Sequence, residues 1–165
     1  MDRALSFEDI KDIFDNNIHT YLYSDLQKFN SIDELLEPYN RCIILFNWKP
    51  NYGHYCALFK RPNSEVCFFD SFGSKPDGRT NFKQIPKPFR QDNGFDYPYL
   101  SKLLYECPYD IDYNDKCLQD DYSSTCGRYC AARMACPELR TNEFNKLFTN
   151  NKKKNDKLII KLTDK

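Results

Sequence analysis

His54-Tyr55-Cys56-Ala57-Leu58-Phe59-Lys60, then Arg61-Pro62-Asn63-Ser64, then Glu65-Val66-Cys67-Phe68-Phe69-Asp70: two runs rich in β-forming residues flank a Pro-Asn break. Such a pair predicts a β-hairpin. With its midpoint at Pro62, or between Pro62 and Asn63, His54 opposes Asp70 or Ser71. Both registers bring His54 and Asp70 to the open end of the hairpin, far from the turn. Only the His54–Asp70 register sets both side chains on one face, because a one-residue slip reverses the facing. It stands the imidazole roughly 5 Å from the carboxylate, measured between β-carbons.

Before the hairpin, Cys42-Ile43-Ile44-Leu45-Phe46 is a continuous apolar run, as expected of a strand buried on both faces. Upstream, Ser6 caps a predicted first helix with Asp9 in the capping-box position, and Phe7, Ile10, Ile13 and Phe14 form its apolar stripe. Ser31, with Glu34 three residues on and Pro38 near the end, predicts a second short helix. The segment 21–30 between them fits no single pattern. Residues 71–98, punctuated by Gly73, Pro76, Gly78, Pro86, Pro88, Gly94 and Pro98, predict loop. A short strand is expected within Cys107–Leu118, and a helix over Thr125–Ala135 with Cys126, Cys130 and Met134 stacked and Pro137 at its end. Asn142–Phe148 reads as helical, Lys152-Lys153-Lys154 as a solvated charge run, and Leu158-Ile159-Ile160-Lys161-Leu162 as a final strand. No repeat or linker divides the sequence, so one domain is expected over 1–165, with a basic C-terminal tail at 150–165.

Composition narrows the function classes. The 165 residues are 41% apolar and 16% aromatic, enough for a packed interior despite a mean hydropathy of −0.75. Lysine plus arginine equals aspartate plus glutamate at 24 each, which argues against nucleic acid as the main partner. Met1-Asp2-Arg3-Ala4 starts no signal-peptide core, and no apolar run approaches the ~18 residues of a membrane span. No membrane partner and no secretion are expected. Cys42, Cys56, Cys67 and Cys130 fall inside apolar segments and read as buried free thiols of a reducing compartment. With no CxxC pair and only His19 and His54 to help, no metal site is expected.

One constellation could do chemistry. Cys126 follows Leu118-Gln119-Asp120-Asp121-Tyr122-Ser123-Ser124-Thr125 and opens the predicted helix. A sulfur in the first helical turn meets free backbone N–H groups whose partial positive charge favours thiolate. His54 is a base able to serve it, and Asp70 an acid able to orient the ring and stabilise its cation. The backbone N–H of Cys126 and the amide of Gln119 are donors for a developing oxyanion. Gly127 either leaves room for a substrate backbone or eases packing. Each residue alone also fits an ordinary core or loop role; their order and their places in the predicted elements make the set notable.

Gly53-His54-Tyr55, Phe69-Asp70-Ser71-Phe72-Gly73 and Gln119 through Cys126-Gly127 resemble the three motif blocks of the adenovirus-type maturation protease (adenain) and its relatives, the SUMO-specific proteases. The similarity spans residues 40–136. It implies an α+β fold in which a small, mostly antiparallel sheet is flanked by helices, with the nucleophile at a helix N-terminus. It also implies a cysteine peptidase with His54 as base, Asp70 as orienting acid, Gln119 as oxyanion donor and Cys126 as nucleophile, acting at glycine-containing sites without a cofactor.

Two positions depart from the pattern. Tyr55 stands where a tryptophan commonly follows the histidine and forms an aromatic lid, and Asp70 matches the SUMO-protease side where the adenoviral enzyme has glutamate. Adenain uses a viral peptide and DNA as activators; the charge balance here does not support DNA, and whether a peptide activator serves is not legible in the sequence.

The function expected is a thiol protease of virion maturation, cleaving capsid or core precursors in the host cytoplasm or viral factory and packaged in the virion. Alternatives are a deconjugating enzyme for ubiquitin-like proteins and a binding module that keeps the fold without catalysis.

Overall fold

Three central strands, β2 (Arg41–Lys49), β3 (Tyr52–Arg61) and β4 (Glu65–Phe69), are antiparallel neighbours. In the computed structural model, which describes residues 3–49 and 52–164, they form the middle of a five-stranded sheet. Met1 and Asp2 of the N-terminal reading, and Lys165 of the C-terminal one, lie outside the described residues, as do Pro50 and Asn51.

The sheet order is β1-β2-β3-β4-β5, with β1 (His19–Leu22) and β5 (Asp110–Tyr113) at the edges. Both edge strands run parallel to their neighbours, so the sheet is mixed rather than mostly antiparallel. Parallel neighbours need long crossovers. Here β1 reaches β2 through a 3-10 turn and α2 (Ile32–Leu36), while β4 reaches β5 through α3 (Lys87–Asp92) and α4 (Tyr99–Glu106).

Helices cover both faces. Ile43, Leu45, Ala57, Phe59, Cys67 and Phe69 point toward α1 (Phe7–Ile13), α5 (Cys126–Ala135), α6 (Thr141–Asn145) and α7 (Lys152–Thr163). Cys42, Ile44, Phe46, Cys56, Leu58, Val66 and Phe68 point the other way, onto α2, α4 and the loop residues Phe82, Ile85 and Phe95. Burial on both sides is why the strands read as unbroken apolar runs. Cys42, Cys56, Cys67 and Cys130 sit in these cores as free thiols.

The expected caps form. Ser6 Oγ accepts from the Asp9 amide at 3.1 Å while Asp9 accepts from the Ser6 amide, and Ser31 accepts from the Glu34 amide. Helix α5 and strand β5 fall where expected, and α6 covers the first half of the expected 142–148 helix. Helix α3 occupies part of the expected loop: Pro88 sits in its first turn, where a missing N–H costs nothing. Helix α4 is unanticipated, although Leu100, Leu103 and Leu104 follow helical spacing and are buried.

The C-terminal segment is a helix, not the strand expected at 158–162. A short apolar run does not by itself separate strand from helix. The buried residues Asn155 and Ile159 are four apart, one helical face, and Asn151 caps the start by accepting from the Lys154 amide. Lys152, Lys153 and Lys154 are exposed, as expected.

The hairpin register also differs. Arg61 pairs with Glu65 and Ala57 with Phe69, so the turn is centred on Asn63, one residue or a half-step beyond the two expected midpoints. Asn63 and Ser64 both adopt left-handed backbone, at φ 66° and 57°. Asparagine enters that region readily and serine less so, and the resulting loop holds three residues. Continued past the paired residues, this register sets Cys56 opposite Asp70 and His54 one same-face step further out. His54 and Asp70 are diagonal neighbours on one face, still within side-chain reach.

Candidate active site

Asp70 is the first residue beyond β4 and is fully buried. Its Oδ1 accepts from His54 Nε2 at 2.9 Å and from the Phe72 amide at 2.8 Å. Its Oδ2 accepts from Asn81 Nδ2 at 2.9 Å, Thr80 Oγ1 at 3.2 Å and the Cys56 thiol at 3.6 Å. Burial alone would raise its pKa, but the facing His54 charge and these donors outweigh it and hold the carboxyl below its ordinary range. Burial would likewise lower the pKa of His54. The Asp70 charge and hydrogen bond, together with the contact to Cys126, win, and the ring is held as imidazolium well above its usual range.

With Nε2 on Asp70, Nδ1 is the ring nitrogen left for Cys126, whose interaction with the ring helps raise the His54 pKa. Phe72 covers the imidazole, ring centroids 5.0 Å apart. Cys126 is the first residue of α5, as expected. Thr125, at the N-cap, makes no capping bond: its hydroxyl is engaged by Ser123 and Asp156. The first-turn N–H groups of α5 are thus uncapped by that side chain, and they are donors of the kind an oxyanion needs.

Gln119 is buried beneath the same cleft. Its Oε1 accepts from Ser71 Oγ at 2.6 Å and its Nε2 donates to the Ser123 carbonyl at 3.1 Å. A primary amide has two N–H donors, so one remains for the cleft. The Ser71 carbonyl in turn accepts from the Leu118 amide at 2.8 Å. Asn114 fixes the chain leaving β4 by donating to the Asp70 carbonyl at 2.6 Å. Gly73 follows at φ +78°, where an added β-carbon would sit 2.9 Å from the backbone of Asp115 and Lys116.

His54, Gln119 and Cys126 all line one cleft of about 360 Å³. All four expected site residues are therefore gathered in one place, although His54 and Asp70 meet diagonally rather than in direct opposition. His54, Cys56 and Asp70 have ligand-type atoms within 4.8 Å of one another. Two members of the trio, His54 and Cys56, are themselves hydrogen-bond donors to the third, Asp70. His19, the other histidine, stacks on Tyr21 in β1, away from the cleft.

The position after the histidine supplies no lid. Tyr55 faces α5, its ring near Phe7 and 3.1 Å from where a β-carbon on Gly127 would lie. Gly127 thus lets the helix seat on Tyr55, the packing reading of the two. Trp48 and Tyr52, ring centroids 5.3 Å apart across the β2–β3 turn, form an aromatic wall of the cleft, which Tyr55 and Phe72 also line. Thr80, Asn81 and Trp48 carry no functional signal in the sequence, and Ser71 only its place in the Asp70 motif block. Ser71 was legible as the neighbour of Asp70, whereas Asn81 lies in a Pro/Gly-rich stretch with no local signature.

No described helix is long and apolar enough to cross a membrane. A scan against protein-family models found no match. The chain is 41% identical over 145 residues to "Uncharacterized protein V9" of Sputnik virophage, covering 87% of this chain and 82% of that protein. At that identity and coverage the relationship is one of descent: the chain belongs to the family of the Sputnik virophage V9 protein.

Proposed function

We propose that this protein is a cysteine endopeptidase of the adenain and SUMO-protease type, cleaving viral capsid or core precursors at glycine-containing sites during virion maturation. One observation carries the reading: a histidine bonded to a buried carboxylate, a thiol that interacts with the same ring, and an amide bonded to a serine line one cleft. The sulfur of Cys126 attacks the scissile carbonyl. The oxyanion is received by the free Gln119 N–H and the Cys126 backbone N–H. His54 gives its proton to the leaving amine, then takes one from the water that hydrolyses the thioester. Asp70 keeps the ring in the required orientation and stabilises its cation. The relationship to a virophage protein supports a viral setting, and the reading carries with it packaging of the enzyme in the virion.

Removal of ubiquitin-like proteins is the second reading, favoured by an aspartate rather than a glutamate beside His54. Both readings are tested by incubating the pure protein with candidate capsid precursors and with tagged ubiquitin-like proteins. Precursor cleavage by the wild type and none by Cys126→Ser is the expected result. Processing of a folded ubiquitin-like protein alone would transfer the chemistry to the second reading. Cleavage by Cys126→Ser at the wild-type rate would refute the nucleophile.

A further inference from the structure

The loop that carries Gln119 and leads into Cys126 has no regular structure of its own, yet its two ends bear an oxyanion donor and the nucleophile. What fixes it comes from α7, the segment whose sequence reads as a solvated basic tail. Asp156 is buried, and its Oδ2 accepts from the Asp120 amide at 3.3 Å. Its Oδ1 accepts from Thr125 Oγ1 at 3.1 Å and Tyr129 Oη at 2.8 Å. One carboxylate therefore holds the residue after Gln119, the residue before Cys126 and the first turn of α5. Beside it, buried Asn155 donates to the Leu118 carbonyl at 3.1 Å, and its Oδ1 accepts from the Thr149 amide at 2.8 Å. Leu118 is thus gripped on its carbonyl by α7 and on its amide by Ser71.

From this convergence we infer that Asp156, supported by Asn155, is a positioning residue for catalysis, setting the distance between the Gln119 amide and the Cys126 backbone N–H. The inference rests on the hydrolase reading above. A carboxylate is the group suited to the task, because all three of its partners present donors and a buried acceptor pair satisfies them together. Capping is a secondary effect: by engaging the Thr125 hydroxyl, Asp156 also keeps it from capping α5, which leaves the first-turn N–H groups for a substrate oxygen.

Asp156→Ala removes the acceptor. Asp156→Asn is the rescue, since its carbonyl can serve Asp120 while Thr125 and Tyr129 hydroxyls accept from its NH₂. On a cleavable peptide, Asp156→Ala is expected to lower kcat about 10²-fold, the order of effect of a misplaced catalytic group, with KM within about twofold. Affinity for a glycine-terminated peptide aldehyde, whose adduct bears the oxyanion, should fall in parallel, while the rate of Cys126 alkylation by iodoacetamide stays near wild type. Asp156→Asn should recover most of the loss, and Lys157→Ala, on the exposed side of the same helix, should show none.

A folded Asp156→Ala protein with wild-type kcat and aldehyde affinity would overturn the inference. So would a rise in KM and a fall in alkylation rate as large as the fall in kcat. Should Asp156→Ala fail to fold, Thr125→Val deletes one of the three bonds and is expected to lose about tenfold in kcat; no loss would overturn the inference equally. If the wild type cleaves no peptide at all, the hydrolase reading fails by itself. Amide exchange over residues 118–125 then decides whether Asp156 holds the loop, faster exchange in Asp156→Ala being expected and unchanged exchange refuting it.

Discussion

Replacing Asp70 by Asn tests the centre of the site with the smallest change of shape. The carboxylate serves five donors, two on Oδ1 and three on Oδ2. An asparagine would place its NH₂ on the Oδ2 side, where the Thr80 hydroxyl and the Cys56 thiol can turn to accept. Asn81 Nδ2 cannot, and one buried donor left unpaired costs about 1–3 kcal/mol. The greater loss is the charge, since breaking a buried ion pair typically costs about 3–5 kcal/mol in all. For a chain of this size that lowers Tm by roughly 6–20 °C, at 2–4 °C per kcal/mol.

The pH dependence is the sharper signature. The His54 pKa is raised to about 10 in the folded state, so its contribution is complete below the unfolded value of about 6.5 and is lost as pH climbs through 10. The Asp70 pKa is lowered, so its contribution is present above about 3.9 and is lost only as pH falls below that. The stability gap between wild type and Asp70→Asn should therefore be widest between about pH 4 and 6.5 and shrink toward pH 10. Urea unfolding at each pH measures it. NMR of the imidazole nitrogens gives the companion reading, and with only two histidines assignment is direct. In Asp70→Asn, burial is opposed only by the Cys126 contact, and the His54 titration should move to markedly lower pH. A gap that stays constant from pH 5 to 10, or a His54 titration unmoved by the substitution, would refute the argument.

Gln119→Ala should keep the fold and lower kcat about 10²–10³-fold, the usual cost of one oxyanion donor, measured with a glycine-containing peptide. Ser71→Ala, which frees the Gln119 carbonyl end, should give a smaller loss in the same direction, and a loss exceeding that of Gln119→Ala would contradict the aiming role. Thiol mapping with a small alkylating reagent under native conditions should modify Cys126 while Cys42, Cys56, Cys67 and Cys130 stay protected, because burial removes access and pushes each of those thiols above its ordinary pKa. Gly127→Ala sets a methyl 3.1 Å from the Tyr55 ring and should cost about 1–3 kcal/mol of stability, which Tyr55→Leu in the same chain should partly restore; calorimetry reads both.

The parts of this molecule legible in its sequence are those written in local pattern. Ser6 with Asp9 announced its capping box, and the Cys42–Phe46 run announced a strand buried on both faces. His54 and Asp70 were legible as partners because a hairpin brings its two open ends together whatever its exact register. The register itself depended on Ser64 adopting a left-handed backbone, which its residue type does not signal. The parallel edge strands depended on crossovers, and α7 on a choice between two periodicities that a five-residue apolar run does not make. What supports the site was least legible: Asn81 reaches Asp70 from within a proline-rich loop. Asp156 reaches Asp120 and Thr125 from a helix that looks solvated, and their polar side chains look exposed until the partners are placed.

The most direct test of the account is mass spectrometry of the protein after exposure to a glycine-terminated peptide vinyl ester, an electrophile that reports a sulfur activated within a substrate-shaped cleft. One adduct, mapped to Cys126, is the expected product in the wild type, and it should disappear in His54→Ala and Cys126→Ala alike. An adduct on another cysteine, or undiminished labelling of Cys126 when His54 is removed, would contradict the claim that this imidazole and this sulfur work as a pair.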